Sequence, residues 1–231
     1  MVTQLPSSNK KGIIYPESDG QPMADNTKQF ELIVLIKKNL DLLFANDPNV
    51  FIAGDLFWYP VEGDNLTRKA PDVMVAFGRP KGDRGSYLQW EEDNIPPQVV
   101  FEILSPSNRA KDMIAKYKFY DRYGVEEYYL YYPDKGELTG WLRSDNELQE
   151  IEQMVGWVSP RLGIQFELFD GELQIFSPSG QRFATYLELS QQKELAQQQL
   201  EQEKQRAEQA EAQLQALRAL LQQRGINPDQ L

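Results

Sequence analysis

Apolar residues first recur at helical spacing after Asp25-Asn26-Thr27, where Phe30, Ile33, Val34, Leu40 and Leu43 gather on one side. The spacing predicts a helix to about Phe44, opened by N-capping residues and stopped by the turn cluster Asn46-Asp47-Pro48-Asn49. Ahead of it, residues 1–25 are rich in Ser, Pro, Gly, Asn and Lys and read as an irregular arm. Strand-like segments follow. Val50 to Tyr59 is aromatic and β-branched, and Val73 to Phe77 is a second strand after Ala70-Pro71-Asp72. A loop from Gly78 to Pro97 leads to a third strand, Gln98 to Leu104, whose near-continuous apolar run is that of a central strand buried on both faces. Ser105-Pro106-Ser107-Asn108 ends it, and a helix from about Arg109 to Tyr123 closes at Gly124. Glu127 to Tyr132 and Leu138 to Arg143 form a hairpin about Pro133 to Gly136, and a last hairpin turns at Asp170-Gly171.

The order α-β-β-β-α-β predicts an α/β fold, a single mixed sheet with helices on its faces, over residues 26–180. Residues 181–231 form a tail, and from about Tyr186 to Arg224 the chain is Gln, Glu, Ala and Leu with no Gly or Pro. Leu200, Ala207, Leu214 and Leu221 keep a seven-residue interval, and Ala196, Ala210 and Leu217 take most of the companion positions. Glu203 interrupts this seam. A two-stranded coiled coil joining two protomers is the expectation, with a solvated lone helix as the alternative.

Composition narrows the chemistry. The 231 residues contain no cysteine and no histidine. Disulfides, thiol nucleophiles, Ser-His-Asp catalysis and most zinc sites are excluded on that ground. Carboxylates, lysine, tyrosine and hard cations held by oxygen remain. No apolar run approaches the ~18 residues of a membrane span, and the polar N-terminus lacks a secretory core, so a cytoplasmic protein is expected. The net charge is −11, and up to Gly180 the chain has 18 basic against 28 acidic residues, so the excess acid belongs to the globular part. That balance opposes long-range attraction to nucleic acid.

Two acids stand out. Asp72 opens a strand at the sheet rim, and in isolation it reads first as a strand-start aspartate. Glu102 lies inside Val99-Val100-Phe101-Glu102-Ile103-Leu104, where an unpaired carboxylate costs several kcal/mol and must be protonated, paired or metal-bound. If the two strands are neighbours, both acids converge on one Mg²⁺ or Mn²⁺, with the backbone carbonyl of Ile103 as a further oxygen ligand. A water bound to that ion would be the nucleophile. Lys116, on the following helix, reads either as the i+4 partner of Asp112 or as the ammonium that assists the attack. Lys111 and Lys118 are weaker rivals, and Tyr120, one turn beyond, is expected to pack rather than act.

Together these segments resemble the Uma-two (Uma2) family of restriction-endonuclease-like proteins. The resemblance rests on Pro71-Asp72-Val73-Met74-Val75, on Val100 to Ser107, on Asp112, Lys116 and Tyr120, and on Tyr123-Gly124-Val125-Glu126-Glu127-Tyr128-Tyr129. It covers roughly residues 27 to 175 and implies a PD-(D/E)xK nuclease fold that binds Mg²⁺. It makes Asp72 the first acid and Glu102 the second. The superfamily's lysine two residues beyond the second acid is replaced by Leu104, and Lys116 matches a lysine moved to the next helix. A histidine that many members carry near the first helix has no counterpart here; Glu31 on that helix reads first as a solvated face and second as a substitute. Asp55 is another acid that could approach the site.

The leading reading is a Mg²⁺-dependent DNA endonuclease, dimeric through its tail, with Arg79, Lys81, Arg84, Arg109 and Lys111 supplying a locally positive face. The alternative is a catalytically inactive nuclease-fold interaction protein that oligomerises through the C-terminal helix. A carboxylate-pair glycosidase would use aromatic stacking, but Trp58, Trp90, Trp141 and Trp157 are scattered.

Overall fold

Asn26 caps the first helix of the computed structural model, which describes residues 12–18, 20 and 24–224. Its side chain accepts a hydrogen bond from the Gln29 amide at 2.8 Å, satisfying one of the free donors of the first turn. The helix, α1, spans Thr27–Leu43 and buries Gln29, Ile33, Ile36, Asn39 and Leu40. Most of the arm read into residues 1–25 lies outside the described residues.

The expected first strand is interrupted. Val50–Ala53 forms β1, then Gly54-Asp55 turns the chain, and only Trp58–Tyr59 returns to strand as β2. Asp55 adopts φ 48°, and its amide is shared between the carbonyls of Pro71 and Asp72 at 3.1 and 3.3 Å. Aromatic and β-branched content is continuous through this stretch, so periodicity alone could not locate the break. β3 is Val73–Phe77; the loop behind it contains β4, Tyr87–Leu88, which pairs in parallel with β2.

β5, Val99–Ile103, is buried at every position. It continues through α2, Ala110–Arg122, into β6, Glu127–Tyr132, which runs parallel to it. β7 (Glu137–Ser144) and β8 (Glu147–Glu150) complete a six-stranded sheet of order β1-β3-β5-β6-β7-β8, in which every pair but β5–β6 is antiparallel. The turn between β7 and β8 places Asp145 and Asn146 at φ 51° and 72°, the left-handed pair that a two-residue hairpin demands. A separate hairpin, β9 (Gln165–Phe169) and β10 (Glu172–Phe176), follows.

Strand alternation sorts the core into two layers. Val73, Val75, Val99, Phe101 and Ile103 pack with Ile33, Ile36 and Leu40 of α1 and with Phe166 and Ile175 of the last hairpin. Met74, Ala76 and Val100 point the other way, against Phe119 and Tyr120 of α2 and against Trp58. Even-numbered positions of β3 and β5 therefore face α2, and this parity directs the two acids.

The chain divides after Phe183 into two compact units. The second contains α3, Tyr186–Gln223, opened by a capping box in which Thr185 Oγ1 accepts from the Glu188 amide and Glu188 Oε2 accepts from the Thr185 amide. Leu195, Leu200, Leu214 and Leu217 are each more than half exposed on it. No helix among the described residues is long and apolar enough to cross a membrane.

Candidate active site

The β3–β5 register brings the acids together. Val73 pairs with Phe101 and Met74 with Val100, so one step further Asp72 falls opposite Glu102, with both side chains on the α2 face. Asp72 Oδ2 accepts the Ile103 amide at 2.6 Å, fixing its carboxylate against β5. Asp72 is buried, yet it lines an open cleft of about 510 Å³ together with Asp25, Gln29, Asp55 and Lys116. Glu102 lies deeper, at 2% exposure.

Helix α2 answers Glu102 at both oxygens. Lys116 Nζ donates to Oε2 at 2.5 Å, and the Tyr120 hydroxyl, one turn on, donates to Oε1. The ion pair forms with Glu102 rather than with Asp112, which is exposed. Tyr120, expected only to pack, is therefore part of the site. Burial opposes the charge on Lys116, but the carboxylates of Glu102 and Asp72 outweigh it and hold the ammonium above its ordinary range. Asp72 goes the other way: burial, then the charge of Glu102, push its carboxyl up to about 8, against the opposing pull of Lys116 and the Ile103 amide. One cation serves two buried acids. The Tyr128 hydroxyl, buried on the same face and raised well above its usual range by burial and by the charges of Glu102 and Asp72, has no hydrogen-bond partner among the described residues.

The helix on the opposite layer also reaches the site, through a residue that the sequence reading passed over. Gln29 Nε2 donates to the Ile103 carbonyl at 2.8 Å, while its Oε1 accepts the Asp25 amide at 2.9 Å. Glu31, the acid considered on that helix, is exposed and does not line the cleft. A glutamine inside an acid-poor helical face gave little signal; its burial beside Ile33 is what marks it. Asp25 also accepts hydrogen bonds from Ser105 and Ser107, which hold its carboxyl below the usual range and tie the loop after β5 to the start of α1. Asn108 Oδ1 accepts the Ser105 amide at 2.7 Å in the same loop.

The expected positive face is not built as read. Arg79 and Arg84 both bind Glu92, Nε to carboxylate at 2.8 and 2.5 Å, and Arg79 also pairs with Asp93. Lys81 caps α1, donating to the carbonyls of Phe44 and Ala45. Lys81 and Arg84 line a second cleft, of about 420 Å³, that contains neither Asp72 nor Lys116. Arg109 and Lys111 are exposed at the start of α2. The cations that do line the Asp72 cleft besides Lys116 are Arg68 and Lys69.

Another buried carboxylate, outside this site, serves structure. Glu127 opens β6 on the α1 side of the sheet and accepts from the Tyr129 hydroxyl, the Ser159 hydroxyl and the Arg161 amide. Burial still holds its carboxyl above the usual range.

No curated protein matches this chain. Among the solved structures that match is a putative nuclease belonging to DUF820 from Anabaena variabilis ATCC 29413, with a TM-score of 0.44 and 16% identity over 64% of this chain and 75% of that one. The sequence pattern of the Uma2 family, described as a putative restriction endonuclease, matches residues 4–164. That span is well over half of the 231 residues, and the chain belongs to the Uma2 family.

Proposed function

We propose that the chain is a metal-dependent DNA endonuclease that hydrolyses phosphodiester bonds at the Asp72–Glu102 rim. The observation that carries this reading is the pairing of two buried acids across one ladder, with Lys116 bound to Glu102 and an open cleft lined by Asp72 and Lys116. The donor set suits Mg²⁺ or Mn²⁺: two carboxylates, and the Ile103 carbonyl, whose second lone pair is left by its bond to Gln29. The excess buried acid and the unpartnered Tyr128 hydroxyl support the same assignment. A cation held there supplies Lewis-acid stabilisation of the charge that builds on a phosphate. Asp72, kept in place by the Ile103 amide, and Glu102, kept by Tyr120, act as ligands. Lys116 sets a positive charge at the cleft, where it stabilises phosphate oxygens in the transition state. Gln29 orients the carbonyl.

The test is cleavage of plasmid DNA by purified protein in Mg²⁺ or Mn²⁺, with Asp72→Asn and Glu102→Gln as controls. Metal-dependent nicking that both substitutions abolish supports the reading. Absence of cleavage in every divalent metal overturns it and favours the second reading, a nuclease-fold interaction protein working through α3. The exposed leucines of that helix favour dimerisation under either reading. A cytoplasmic location fits the absence of cysteine.

A further inference from the structure

Arg68 and Lys69 immediately precede Ala70-Pro71-Asp72, and both line the Asp72 cleft. Their backbone is fixed. Lys69 exchanges both main-chain hydrogen bonds with Trp58, at 2.8 and 3.3 Å, and Asp64 caps the amides of Leu66 and Thr67 in the loop before it. The Arg68 side chain is also held: its guanidinium carbon lies 4.8 Å from the Phe57 ring centroid and 5.8 Å from that of Tyr59, and Nη1 donates to the Asn65 carbonyl at 2.5 Å. A planar fork stacked on aromatic rings is pre-organised for a bidentate anion.

Neither cation is in an ion pair with a carboxylate among the described residues. Lys116, the third cation of that cleft, is by contrast bound to Glu102. In a chain of net charge −11, two cations that line the Asp72 cleft without holding a carboxylate are open to an anion from outside.

We propose that Arg68 and Lys69 bind backbone phosphates of a nucleic acid next to the one cleaved and so hold the strand against Asp72. This rests on the nuclease reading for the word "cleaved", but the phosphate contacts themselves can be tested without cleavage. Arg68 takes two oxygens of a phosphate with the donors left by its bond to Asn65, and Lys69 adds a point charge. Neither reads base identity, so the contacts are indifferent to sequence.

The experiment measures binding of a fluorescent DNA duplex to the full chain by anisotropy across a KCl series, with Ca²⁺ in place of Mg²⁺. The variants are Arg68→Ala/Lys69→Ala, the conservative pair Arg68→Lys/Lys69→Arg, and Lys38→Ala/Arg122→Ala, which makes the same change in net charge at two exposed cations that do not line the Asp72 cleft. Two lost phosphate contacts flatten the slope of log K against log salt by about 1.8, at about 0.9 per phosphate. The conservative pair keeps most of the wild-type slope, and the distant pair keeps all of it. In Mg²⁺ the alanine pair raises KM more than it lowers kcat. An unchanged slope, an equal loss in the distant pair, or a wild-type chain that does not bind DNA overturns the proposal. If the wild type binds with the expected slopes yet never cleaves, the nuclease reading falls and the phosphate sites stand.

Discussion

Lys116 and Tyr120 lie one turn apart on α2, and each takes a different oxygen of the same carboxylate, that of Glu102. The spacing of a helical face thus fixes the orientation of an acid on a neighbouring strand. Both contacts are removable one at a time, and they do different things.

Tyr120→Phe leaves Glu102 ion-paired but takes away a hydrogen bond to a charged group, at a cost of about 1.5–3 kcal/mol. Lys116→Met strands a carboxylate that is 2% exposed, and losses of about 3–5 kcal/mol attend an unpaired buried charge. Denaturant unfolding of both variants should rank them in that order. Cleavage should fall far more in Lys116→Met, because only the lysine reaches the cleft.

Mg²⁺ or Mn²⁺ should raise the melting temperature of the wild type. At a hundredfold excess over Kd the gain is about 2.7 kcal/mol, which in a domain of this size corresponds to about 5–10 °C. Asp72→Asn should abolish the shift while leaving a folded protein, because the amide of the new side chain is neutral where the acid is costly to ionise. Differential scanning fluorimetry with and without metal reads the outcome.

Glu127→Ala should destabilise by about 1–3 kcal/mol, since the Tyr129 and Ser159 hydroxyls and the Arg161 amide lose their acceptor. Cleavage per folded molecule should stay at the wild-type level, because Glu127 faces the α1 layer and not α2. Urea titration paired with an activity assay separates the two carboxylates.

Burial pushes Glu92 up, but hydrogen bonds and charge from Arg84 and Arg79 outweigh it, leaving the carboxyl below its ordinary value of 4.5. A depressed folded-state pKa gives stability that is complete above about 4.5 and lost as pH falls through the folded value. The melting-temperature gap between wild type and Glu92→Gln should therefore be flat from neutrality down to about pH 5 and should close on further acidification.

Substituting Leu200 and Leu214 with lysine in the full chain should give a monomer by sedimentation equilibrium if α3 joins two protomers. The wild type should sediment as a dimer. Both leucines sit on the seven-residue interval and are exposed in the single chain.

Much of this was legible in the chain before any coordinates. The apolar run around Glu102 announced a central strand, and the cost of a lone carboxylate within it pointed to a partner. The helix carrying Lys116 and the hairpin at Pro133 to Gly136 follow from periodicity and turn residues. What stayed hidden has a physical cause in each case. β8 has one inward side chain, Leu148, so Glu147–Glu150 carries too little alternation to declare a strand. Gln29 is neither charged nor apolar, and its reach to the Ile103 carbonyl depends on how α1 crosses the sheet. Arg79 and Arg84 looked available because their partner, Glu92, sits across a loop that spacing does not fold. Tyr120 looked like core because it is core; its hydroxyl alone belongs to the site.

The clasp between the Asp72 carboxylate and the Ile103 amide ties a ligand-bearing side chain to a strand buried along its whole length. Such an acid has almost no rotamer freedom left to surrender when something docks on it. Affinity at the rim then depends on the rigidity of β5 itself, and a cavity made far along that strand, at Val99 for instance, should loosen the grip on a cation that it never touches.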